Sequence, residues 1–109
     1  MISVKLYLRN DALCGFELSG HSTVDEDDFD GKLVCSAVSS AAIMTANTIT
    51  EIIGDSAAVE ANDGYMRVIC DDERSCADVL YGFKLHITAL CDEYPERIRI
   101  TIKAEQRSL

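Results

Sequence analysis

The sequence predicts an α/β fold of the α+β type, a single domain over residues 1–109 with element order ββαββαβ and two helices on one face of a mixed sheet. Two pairs of short alternating segments, each joined by turn residues, predict hairpins. Two long stretches with apolar residues three and four apart predict helices, and alternating Ile98, Ile100 and Ile102 predict a last strand. Two helices packed on one sheet are the simplest way to bury these faces.

Ile2 to Leu8 alternates apolar with mixed residues, as a half-buried strand does. Arg9-Asn10-Asp11 is a polar break, and Leu13 to Leu18 reads as the second strand of a hairpin. Ser19 to Gly31 reads as an irregular loop holding Asp25-Glu26-Asp27-Asp28, and loops of about a dozen residues are more often functional than plain connectors. Lys32 to Ile53 reads as a helix stopped by Gly54, with small and apolar residues most of the way round. Ala57–Ala61 and Tyr65–Cys70 form a second hairpin about Asn62-Asp63-Gly64. Asp71 or Asp72 caps the next helix, whose inner face carries Cys76, Val79, Leu80, Phe83, Ile87 and Leu90, and Tyr94-Pro95 ends it.

With 109 residues the chain can bury roughly two-thirds of its unfolded surface, so its core needs no disulfide or metal. Hydrophobic residues make up 48%, against 6 glycines and 1 proline, which excludes a disordered segment. The net charge of −9 argues against a nucleic-acid or anionic-membrane surface and suits a basic partner, or simply keeps the protein soluble. No basic head precedes a long apolar run, so no signal peptide is expected. Ser39, Ser40, Thr45, Asn47, Thr48, Thr50 and Glu51 interrupt Leu33–Ile53, which reads as too polar for a membrane span. The expected location is the cytoplasm.

Cys14, Cys35, Cys70, Cys76 and Cys91 contain no CxxC pair, so free thiols are expected in a reducing compartment. No metal and no cofactor is expected: zinc usually takes closely spaced ligands, and the chain has only two histidines.

Cys35 alone has neighbours that ask for chemistry. A thiol attacks as its thiolate, and the predicted first turn of a helix offers unpaired N–H groups and a favourable dipole. Gly20-His21 ends the preceding strand, placing an imidazole that can take the thiol proton and return it to a leaving amine. N–H groups at the helix start would hold the oxyanion of acyl transfer, and Gly20, Ser36 and Ser39 leave room for a peptide. Spacing alone leaves the plainer alternative open, a solvated loop followed by a core cysteine. His86 reads as structural or exposed.

The stretches "FELSGHS" and "LVCSAVSSA", with the acidic loop between them, resemble the ribosomal-processing cysteine protease family, Prp. The resemblance covers nearly the whole chain and includes the order ββαββαβ. It implies a homodimeric endopeptidase that removes the N-terminal extension of large-subunit ribosomal protein twenty-seven. It also implies His21 as general base, Cys35 as nucleophile and Ser39 as an active-site serine. A basic ribosomal precursor would match the acidic chain. Lys32 stands where the family usually has Asp, three residues before the cysteine, and the loop is about two residues longer. Asp30 is the candidate orienting carboxylate. Two rivals accompany this reading: a non-catalytic module for a basic assembly partner, and a redox-sensing thiol protein.

Overall fold

The computed structural model describes residues 1–21 and 26–105. Five strands form one sheet: β1 (Ile2–Arg9), β2 (Ala12–Ser19), β3 (Ala58–Asn62), β4 (Tyr65–Ile69) and β5 (Ile98–Ala104). Their order across the sheet is β3-β4-β2-β1-β5. β1 pairs antiparallel with β2 and parallel with β5, so the sheet is mixed, as the sequence predicts.

The first hairpin turns at Asn10 and Asp11, whose φ of 53° and 64° are the two positive values that match the twist of a tight antiparallel turn. Near that turn Leu8 faces Leu13 while Tyr7 faces Gly15, which leaves Cys14 as a bulged residue. Beyond the bulge, Phe16 and Leu18 of β2 point to the same side as Val4 and Leu6 of β1, and all four are buried.

Helix α1 (Phe29–Asn47) continues into a π-helical turn (Thr48–Ile53), and α2 spans Glu73–Glu93. Val34, Val38, Ala42 and Ile49 join Leu80, Phe83 and Ile87 in a single core with the sheet's inner residues. Phe16 stacks on Phe83 with ring centroids 4.4 Å apart, which pins α2 to the middle strand and is worth about 0.5–1.5 kcal/mol beyond its burial. The other sheet face is polar. Glu60, Arg67, Glu17 and Lys5 lie side by side across four strands, and Glu17 accepts from the hydroxyl of Tyr65 at 2.7 Å.

Two expectations need correction. The helix begins at Phe29 rather than Lys32, because the Asp28 carboxylate caps it by accepting from the Gly31 N–H at 3.0 Å. That cap contributes about 1 kcal/mol, enough to offset the poor helix propensity of a glycine in the first turn. The second concerns the helical run Phe29–Ile53, which is long and apolar enough by length and composition to cross a bilayer. Its polar interruptions therefore do not exclude a span, contrary to the expectation from the sequence. Thr45, Thr48 and Thr50 turn their hydroxyls back onto the carbonyls of Ala41, Met44 and Ala46. In this fold the run is the core helix beneath the sheet.

Candidate active site

The end of β2, the middle of α1 and the β3–β4 turn converge on a cavity of about 300 Å³. Gly20, His21, Cys35 and Ser39 line it together, with apolar walls from Leu18, Val38 and Met66. Three sequence-predicted site residues thus meet around one glycine at the end of a strand.

The placement of His21 follows from its backbone. Gly20 has φ of 91°, a left-handed conformation, and a Cβ there would lie 2.5 Å from the Met1 carbonyl. The Gly20 N–H donates to the Gly64 carbonyl at 3.0 Å, and the Met1 ammonium donates to the His21 carbonyl at 2.6 Å. The first bond fastens the strand end to the β3–β4 turn, and the second fastens it to the start of β1. The imidazole lies against Gly64, so that a Cβ at that position would come within 2.8 Å of His21 Nε2.

That contact supports a prediction. Gly64→Ala should lower kcat by displacing the imidazole. Gly54→Ala should not, although its φ of 77° matches the 71° of Gly64, because a Cβ there meets nothing within 4 Å. Each substitution carries a similar backbone cost of about 1 kcal/mol, so the pair separates strain from displacement. Equal kcat for the two variants would remove Gly64 from the site.

Cys35 sits in the second turn of α1, half-buried against the core. The earlier start of the helix overturns the expected first-turn position. The N–H groups at the helix start belong to Phe29, Asp30 and Gly31, and Asp28 already caps the last of these. They are therefore not placed to serve as the oxyanion donors expected from the sequence. Ser39, one turn beyond Cys35, presents the nearest cavity-lining hydroxyl on the helix.

Ser36 does not line this cavity. It lies in an adjoining groove with Ser40, Met44 and Ile52, which shares Ser39 and Ile43 with the cavity. Asp30 is exposed in the first turn of α1 and is not among the residues lining the cavity. Lys32 donates its ammonium back to the Glu26 carbonyl and also lies outside the cavity lining. Of the acidic run, Asp25 falls outside the described residues. Asp28 is bound into the fold through its cap and a 2.7 Å ion pair to Arg97, while Glu26 and Asp27 are exposed.

Sequence reasoning missed Asp63. It is legible only as a turn residue, yet the β3–β4 turn brings it into the same cavity lining as His21. The other cysteines are ill placed for attack. Cys14, Cys70 and Cys76 are buried, and desolvation raises all three thiols, that of Cys14 to about 12. Among the described residues no disulfide forms.

Residues 1–99 match the profile of the cysteine protease Prp. The chain belongs to the Prp family of cysteine proteases. Its fold is similar to the essential ribosomal-processing protease Prp from S. aureus with a covalently linked product peptide. That match has a TM-score of 0.83 at 20% identity over 94% of this chain and 100% of the other. The same S. aureus protease with a substrate peptide gives a TM-score of 0.81 at 19% identity, over 94% and 100%. SMU.848 from Streptococcus mutans gives 0.80 at 27% identity, over 96% of each chain. No curated protein matches the sequence. The Prp assignment agrees with the resemblance read from the two motifs, and the mixed sheet with two helices is the Prp architecture.

Proposed function

We propose that this Prp-family protein is an endopeptidase that removes the N-terminal extension of large-subunit ribosomal protein twenty-seven, with Cys35 as nucleophile and His21 as general base. The observation that carries this reading is the shared cavity of His21, Cys35 and Ser39. His21 takes the thiol proton, and the Cys35 thiolate adds to the scissile carbonyl. The resulting oxyanion accepts from the Ser39 hydroxyl. Collapse breaks the C–N bond, and the imidazolium gives its proton to the departing amine. Water, deprotonated by His21, then hydrolyses the thioester and restores the thiol.

The adjoining groove offers exposed Ile43, Met44 and Ile52 as apolar lining beside the cavity. The net charge of −9 favours a basic precursor from solution. Exposed apolar side chains on the helical face, 66% exposed at Met44 and 75% at Leu85, are compatible with a homodimer, which light scattering tests. A cytoplasmic location follows from the substrate.

Mixing the purified protein with the extended ribosomal protein should give one cut, located by mass spectrometry of both fragments. An uncut precursor, together with a rapidly alkylated Cys35, would favour a redox-sensing thiol instead. An uncut precursor bound tightly would favour the non-catalytic module.

The cavity also ranks the carboxylates. Asp63→Asn should slow turnover by about 10-fold or more, if a carboxylate orients and stabilises the His21 imidazolium. Asp30→Asn should leave turnover within about 2-fold, the scatter expected of an exposed residue away from the site. Steady-state kinetics on the two variants decide between them, and the reverse order would restore Asp30 to the orienting role.

A further inference from the structure

Asp55, Cys70 and Cys76 take no part in the reaction above, yet three separate elements bring them together. Asp55 follows Gly54, which ends the long helical run. Cys70 follows β4, and Cys76 lies in the first turns of α2. One ligand atom from each, two sulfurs and a carboxylate oxygen, all lie within 4.8 Å of one another. Both sulfurs belong to buried residues.

We propose that this cluster binds Zn²⁺, with Cys70 Sγ, Cys76 Sγ and an Asp55 carboxylate oxygen as ligands and water in the fourth position. Two thiolates about 2.3 Å from a tetrahedral zinc lie about 3.8 Å apart, inside the observed spread. Sulfur ligands with one carboxylate suit zinc, whereas magnesium and calcium want oxygen alone. Coordination joins one Zn²⁺ to two thiols and one carboxylate, and the two thiol protons pass to solvent.

The supporting groups are already in place. Asp71 and Asp72 donate their N–H groups to the two Asp55 oxygens at 2.8 and 2.9 Å, which fixes the carboxylate and leaves each oxygen a further lone pair. The Asp55 N–H donates to the Ile49 carbonyl at 3.0 Å, and the Cys70 N–H donates to the Cys14 carbonyl at 2.8 Å. The carboxylate and the backbone that carries Cys70 are thus held in place before an ion binds. Tyr65, at the opposite end of β4 from Cys70, lines the catalytic cavity, so the two sites are separate. The expectation of no metal rests on the lack of closely spaced ligands and on there being only two histidines. Here the fold supplies the proximity.

Cobalt(II), a spectroscopic substitute for zinc, tests the site on the reduced protein. The expected result is one equivalent of Co²⁺ with a thiolate charge-transfer band, displaced by Zn²⁺ and unchanged in Cys35→Ala. Cys70→Ser and Cys76→Ser should each lose most of the band. Asp55→Asn, which keeps one acceptor oxygen but turns an NH2 toward one of the two N–H donors, should weaken Zn²⁺ binding by about 10-fold or more in protein that a denaturant melt shows to be folded. A wild-type protein without the band at saturating Co²⁺ would overturn the proposal. So would a band that Cys35→Ala abolishes, or an affinity that Asp55→Asn leaves unchanged.

Discussion

Cys35→Ala is expected to abolish cleavage and leave the fold intact. Removing the nucleophile of a hydrolase costs on the order of 10⁶-fold in kcat when the nucleophile and base act as a unit. No other described thiol can take over, because Cys14, Cys70 and Cys76 are buried and neither they nor Cys91 line the cavity. Cys35 is half-buried at a cavity wall, so losing one sulfur there should cost far less than the roughly 2–5 kcal/mol of a buried Leu→Ala change. Denaturant melts beside a cleavage assay check both parts. A folded variant that still cuts the precursor would refute the nucleophile assignment, and a loss of several kcal/mol would make Cys35 a core residue.

His21→Ala should lower kcat by about 10²- to 10⁴-fold, the usual contribution of a positioned acid–base group. Stability should change little, because the side chain is exposed and the fold holds His21 through its carbonyl. Added imidazole should restore part of the activity, since the space beside Gly64 would then be open. A merely structural histidine would show no such rescue. His86 offers no substitute: it lies in a different groove, between α1 and α2. A loss below 10-fold would take His21 out of the mechanism.

Much of this molecule is written in local sequence. Alternation in β1, β4 and β5, the Asn10-Asp11 and Asp63-Gly64 turns, and the three- and four-residue spacing of Cys76, Leu80, Phe83 and Ile87 all report nearest-neighbour backbone preferences. Those preferences survive folding because the core agrees with them. The Gly20-His21 and Cys35 motifs are legible for the same reason, since each is short and contiguous.

Tertiary structure decided what depends on distant residues. The start of α1 was missed because Gly31 reads as a loop glycine, whereas the Asp28 cap, braced by Arg97 from the far end of the chain, carries the helix through it. That shift moves Cys35 into the second turn and takes the helix-start N–H groups away from the proposed chemistry. Asp63 reaches the His21 cavity only because β4 pairs with β2 and brings its turn to the strand end. Asp55, Cys70 and Cys76 meet only because the fold brings the end of the long helical run, the end of β4 and the start of α2 together. Sequence alone determined the elements and singled out His21 and Cys35, which the fold brings to one cavity, because periodicity and short motifs act between neighbours. Only the fold decided which carboxylates and thiols share a site, because proximity across strands and helices has no signature in spacing.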